Sequence, residues 1–126
     1  MKIRAALVLM ISLSATVMFS RPALAWTGSD SAFEAAYLLT HVADWGQTRD
    51  IAVRCESGRY FETNLVMGRC PNIASVNTYF VSTALLHMGA SYLLPAPYRR
   101  IFQTGTIGMQ IGYINNNANI GLNLRF

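Results

Sequence analysis

Hydrophobic and polar positions divide the chain into an apolar leader, a mixed central stretch, two apolar segments and an Asn-rich end. Ala5–Phe19 is an apolar run behind Lys2 and Arg4, and Ala23-Leu24-Ala25 follows it as a small-x-small site. A basic start, an apolar core of about 15 residues and such a site are the three parts of a secretory signal, short for a spanning helix. Residues 1–25 are therefore expected to be a signal peptide. Whether it is cleaved before Trp26 or kept as an anchor, Trp26 starts on the exported side.

Beyond the leader the pattern turns helical. Ser31-Ala-Phe-Glu34 has the order of a capping box and predicts a helix over about 31–53. Asp50 precedes Arg54 by four residues, the favourable acid-first order. At about 100° per residue, His41, Asp44 and Thr48 fall within about 60° of one another, with Tyr37 extending the row. Leu38, Val42 and Trp45 make a neighbouring apolar face. Residues 72–94 carry no charge, long enough to span a bilayer, and start at Asn72, suited to an N-cap. Thr83, His87 and Ser91, spaced by four, form a second polar stripe. Pro97 suits the first turn of a third helix over about 98–115, in which Ile101–Ile114 is again uncharged. Gly108 and Gly112 stand in G-x-x-x-G register, which permits close helix contact.

These elements predict an all-α fold: one domain over 26–126, a small membrane-associated bundle of about three helices with an Asn-rich tail over 115–126. One alternative competes at the C-terminal end. Thr106–Ile114 and Ile120–Phe126 both alternate, with Asn115–Asn119 as the turn between them, which is a β-hairpin pattern. A single hairpin cannot close a barrel.

Composition sharpens the picture. Charged residues are 13% of the 126, against about 25% in an average soluble domain, and hydrophobic ones are 52%. That balance favours a membrane-associated chain and argues against disorder. The formal charge of +4 comes mostly from the leader. From Trp26 onward, seven Arg against three Asp and three Glu leave +1, so no basic face for nucleic acid is expected.

The polar chemistry gathers in His41–Pro71, which holds four of the six acidic residues and both cysteines. Cys55 and Cys70 bracket a loop marked by Ser57-Gly58, Gly68 and Pro71. In an exported chain their pairing as a disulfide is the leading expectation, and two cysteines alone build no zinc site. Glu62 and Asn64 can bond free backbone amides at a helix start, or clasp Asp44 and Thr48 across a hairpin.

Asp44-Trp-Gly-Gln-Thr48 followed by Glu62-Thr-Asn64-Leu-Val-Met-Gly68 resembles small uncharacterised bacterial and phage membrane proteins. That family, of unknown function, carries D-x-x-x-T on one helix, E-x-N-P before the next segment, and a glycine soon after. The resemblance covers about residues 40–90 and rests on a short motif. It departs at Leu65, where the family tends to have proline. It implies a helical membrane protein and no activity.

Two functions follow as expectations. The first is a structural or accessory membrane protein of the cell envelope. Thr48, Asn64, Thr83 and Ser91 would form a polar seam that locks a helix hairpin. The second is a small membrane enzyme or transport element in which His41, Asp44, Glu62 and His87 form a protonatable or metal-binding cluster. No nucleotide-binding, hydrolase or metalloprotease motif names a reaction, and no cofactor is implied. The lipid bilayer is the expected partner, with a second membrane protein or another copy of the chain besides it. The Arg99-Arg100 pair should lie on the cytoplasmic side. That places residues 72–94 and 101–114 across the inner membrane and the cysteine loop in the periplasm, with the outer membrane or periplasm as alternative locations. If the first helix spans instead, the cysteines are cytoplasmic and the Arg pair lies outside.

Overall fold

The computed structural model describes residues 26–126; the expected signal peptide lies outside them. Three helices carry the fold: α1 (Gly28–Arg54), α2 (Ile73–Leu93) and α3 (Ala96–Asn119), with a 3-10 turn at Cys55–Ser57. The chain is all-α, and no strand occurs among the described residues.

Local chemistry sets the ends. α1 starts three residues before the Ser31 expected from the sequence, because the capping box is Thr27 with Asp30. The Thr27 hydroxyl accepts from the Asp30 amide, and the Asp30 carboxylate accepts from the Thr27 amide. Ser31 instead accepts from the Trp26 indole. Asn72 caps α2 as expected, accepting from the Ser75 amide. Pro97 sits in the first turn of α3. Gly58, at φ 73°, ends the 3-10 turn in the left-handed region that glycine adopts without strain.

Side-chain pairings give the arrangement. Asp30 meets Arg99, Glu34 meets Gln103 and His41 meets Gln110, each 69 residues apart, so α1 and α3 run parallel. Glu34 meets His87 and Trp45 meets Asn77, so the separation shrinks along α1 and α2 runs antiparallel. α1 packs along both neighbours, which touch one another little.

The inward face of α1 has a strict four-three spacing: Asp30, Glu34, Tyr37, His41, Asp44, Thr48, Ile51 and Cys55 are all buried. Most of the interior is therefore polar. Among the described residues, Ile51, Tyr60 and Leu122 form a small buried apolar cluster at the loop end, and Val76 and Phe80 are buried on α2.

Four expectations change. The C-terminal β-hairpin is not formed: Thr106–Ile114 lies within α3, and Asn115–Asn119 is its last turn. The helix wins because Gln110 and Asn117, seven apart, both turn towards α1 and bond His41 and Asp44. The tail is no loose end, since Asp50 accepts from the Asn123 amide and from Arg125 Nε. Gly108 and Gly112 face away from the other helices, with nothing within 4 Å of a Cβ built on them. The expected crossings also lack support: no described helix is long and apolar enough to cross a membrane. In α2 the uncharged run is diluted by Asn77, His87 and several hydroxyl residues.

Candidate functional site

The polar interior has two parts, divided by the Tyr37 ring. Towards the start of α1, Arg99 donates to Asp30 at 2.9 Å and Arg100 to the same carboxylate at 3.0 Å. Hydrogen bonds from the Thr27 amide and hydroxyl and from Arg99 hold the Asp30 carboxyl below the usual range, against the opposing effect of burial. Gln103 donates to Glu34, and His87 bonds Glu34 through Nδ1 (2.9 Å) and the Thr106 hydroxyl through Nε2 (2.8 Å). Ser91 Oγ lies 3.5 Å from His87 Nδ1. His87 is thus enclosed in a finished network. Tyr37 stacks on it at 3.4 Å between centroids and on His41 at 5.2 Å, so the two imidazoles are separated by a ring. Burial, with the Glu34 charge nearby, pushes the Tyr37 hydroxyl up to about 12.

Beyond Tyr37 the helices part around a cavity of about 530 Å³, bordered on one side by the loop. His41 stands at its edge. Its Nε2 faces the Phe80 carbonyl at 2.9 Å and so carries the proton, which leaves Nδ1 to accept from Gln110. Burial lowers the His41 pKa, with the Phe80 carbonyl opposing the effect, so the ring is neutral at pH 7. Thr83 Oγ1 lies 3.2 Å from Nε2 while donating to the Tyr79 carbonyl.

Asp44 is 9% exposed and receives one hydrogen bond among the described residues, from Asn117 to Oδ1. Burial, reinforced by the Glu62 charge, pushes its carboxyl up to about 7. Thr48 lines the same cavity without bonding Asp44. Glu62 enters from the loop, where its Oε1 accepts from the amides of Thr63 and Asn64. Asn64 accepts from the Val66 amide. Both side chains therefore shape their own turn, leaving the start of α2 to Asn72.

The loop is held by the Cys55–Cys70 disulfide, with Cα atoms 5.6 Å apart. At this end Asp50 binds Arg54 and Arg125. Burial raises the Asp50 pKa, but the Asn123 amide and the two arginines outweigh it and hold the carboxyl low.

Of the four candidate groups, three share the cavity wall: His41, Asp44 and Glu62. His87 lies apart. Among the described residues no three His, Cys, Asp or Glu side chains gather closely enough to hold a metal ion. No family model, curated protein or solved structure matches the chain.

Sequence reasoning missed Asp30, Glu34, Arg99, Gln103, Gln110 and Asn117. The signal for the acids was present: Asp30 and Glu34 continue the four-three row of His41 and Asp44 backwards through Tyr37. Reading Glu34 as the capping-box partner of Ser31, with no role for Asp30, hid it.

Proposed function

We propose that the protein is a small accessory protein of the cell envelope that rests the charge-free flank of its helical bundle in lipid. The observation that carries this reading is where the charges lie. Asp30, Glu34, Asp44, Asp50 and Arg99 are buried, and no charged residue within the three helices is fully exposed. Large apolar side chains face outward instead: Leu39 is 73% exposed, Leu86 71% and Ile101 69%. The exposed charges, Glu56, Arg59, Arg69 and Arg125, all sit at the loop and tail end. Polar groups inside and apolar groups outside is the arrangement that lipid favours, because in lipid a polar side chain gains most by facing another helix. A water-facing surface would ordinarily disperse such a patch.

The proposal is one of lateral contact with lipid and assigns no crossing. The interior hydrogen bonds supply the seam that holds the hairpin. The resemblance of Asp44–Thr48 and Glu62–Gly68 to small bacterial and phage membrane proteins points the same way. Flotation of the purified full chain with phospholipid vesicles tests the reading. The chain should float with the vesicles, and Leu86→Arg should reduce the bound fraction with its helix content unchanged. A charge in the bilayer interior costs about 2.5–3.5 kcal/mol, so a several-fold loss is expected even at partial depth. A chain that stays monodisperse and lipid-free without detergent would overturn it. Capture by a second membrane protein without lipid binding would assign the flank to that protein.

A further inference from the structure

The cavity beyond Tyr37 has a lining with a definite sign. Asp44 and Glu62 both reach it, and among the described residues no Arg or Lys does. Among the described residues, Asp44 Oδ2 and Glu62 Oε2 accept no hydrogen bond from the chain, although Asp44 is about nine-tenths buried. His41 adds no positive charge, because its protonated Nε2 is turned to a carbonyl and its pKa is lowered. On the loop, Arg69 lies over the Phe61 ring, 3.9 Å from its centroid, and is not part of the wall. Beside neutral Thr, Asn and Gln side chains, the lining holds aromatic and soft groups: Tyr79 from α2, Tyr113 from α3, and Met67 and Met109. A volume of about 530 Å³ falls within the ordinary size of small-molecule sites.

Unbalanced carboxylate oxygens facing aromatic rings are complementary to one chemical class. A carboxylate or phosphate ligand would meet two like charges and no donor cation. A neutral apolar ligand would leave both acids desolvated without a partner. A bare metal ion would find too few ligands close together. An organic ammonium answers both features, since its charge meets the carboxylates and its alkyl surface lies on the ring faces. We propose that this cavity binds a small organic cation, a primary or quaternary ammonium compound, between the Asp44 and Glu62 carboxylates and the Tyr79 and Tyr113 rings.

Binding should depend on pH. The groups that share the wall with Asp44 are His41 and Tyr37 on its own helix, Glu62 from the loop, Tyr79 from α2 and Tyr113 from α3. Glu62 is the only other carboxyl among them. A cation favours ionised Asp44, so affinity should rise with pH through about 7 and binding should release a proton.

The test is isothermal titration calorimetry of the full chain in a maltoside detergent. Choline is the probe, and its uncharged carbon isostere dimethylbutanol is the comparison. Choline should bind saturably at one site, at least about tenfold tighter than the isostere, and weaken as pH falls from 8 to 5. Asp44→Asn should lose about tenfold or more, and Glu56→Gln, on the exposed turn outside the cavity, should lose nothing. Equal binding of choline and its isostere, unchanged binding by Asp44→Asn, or no saturation by choline or butylammonium at millimolar concentration would each overturn the proposal. If Asp44→Asn loses its helical circular dichroism, Glu62→Gln takes its place, because its amide oxygen still accepts from Thr63 and Asn64.

Discussion

Asp44 and Asp30 are acids on one helix face with opposite environments. Asp30 has four donors around its carboxylate, from Thr27, Arg99 and Arg100. Asp44 has one, from Asn117, and a second acid beside it. The stability consequences are therefore opposite. An Asp44 pKa raised from 3.8 to about 7 means that, between those pH values, the folded chain keeps a proton that the unfolded chain has lost. Stability from this group is then expected to fall as pH rises through that window, by up to about 1.4 kcal/mol per unit. Asp44→Asn should flatten the slope and raise the melting temperature at pH 8, measured by circular dichroism in detergent at a series of pH values. Asp30→Asn should do the reverse of stabilising. It leaves Arg99, 1% exposed, without its buried counter-charge, a loss of about 3–5 kcal/mol readable in chemical denaturation.

Among the elements, the loop and the tail are where local chain length decides stability. The Cys55–Cys70 disulfide closes a separation of 15 residues, worth about 3 kcal/mol in the chain-entropy account. Reduction, or Cys55→Ser with Cys70→Ser, should lower the denaturation midpoint by up to that amount while leaving the far-ultraviolet spectrum helical. The tail is fastened over α1 by Leu122, which fills the space between Ile51 and Tyr60, and by the Arg125 amide on the Gly46 carbonyl. Leu122→Ala should cost about 2–5 kcal/mol, the usual range for a buried leucine, and should speed amide exchange at Asn123 and Arg125. Gly46 permits this approach: a Cβ there would stand 2.8 Å from the Phe126 ring.

At the scale of the whole molecule, most helix charges are buried while many large apolar side chains are exposed. α1 is the most charged helix, yet it is the central one, with Asp30, Glu34 and Asp44 turned towards α2 and α3 and Asp50 towards the tail. Buried ion pairs and hydrogen bonds contribute little net stability over well-packed apolar groups, but they penalise any other register strongly. A one-residue slip of α3 along α1 would separate Asp30 from Arg99, Glu34 from Gln103 and His41 from Gln110 together. Exchanging the whole Arg99–Asp30 pair for an apolar pair of similar volume is therefore expected to be far less harmful than Asp30→Asn alone. A double-mutant denaturation series measures the difference.

Much of this was legible along the chain. Helix positions followed from period to within a few residues, the start of α2 from its Asn72 cap, the polar row His41, Asp44 and Thr48 from angular spacing, and the disulfide from two cysteines behind an expected signal peptide. These are local properties, set by backbone geometry within a few turns. The partners were not legible. Asp44 was expected in a cluster with His41, Glu62 and His87, and its hydrogen bond comes from Asn117 at a separation of 73 residues. His87 was expected to meet His41, and Tyr37 stands between them. The Thr106–Ile114 segment fits a strand in isolation and forms a helix because α1 offers it hydrogen bonds at helical spacing. The sequence by itself determined which faces are polar. Only the packing of three helices decided which polar groups are satisfied and which two acids are left facing an open cavity, because satisfaction depends on atoms far apart in the chain.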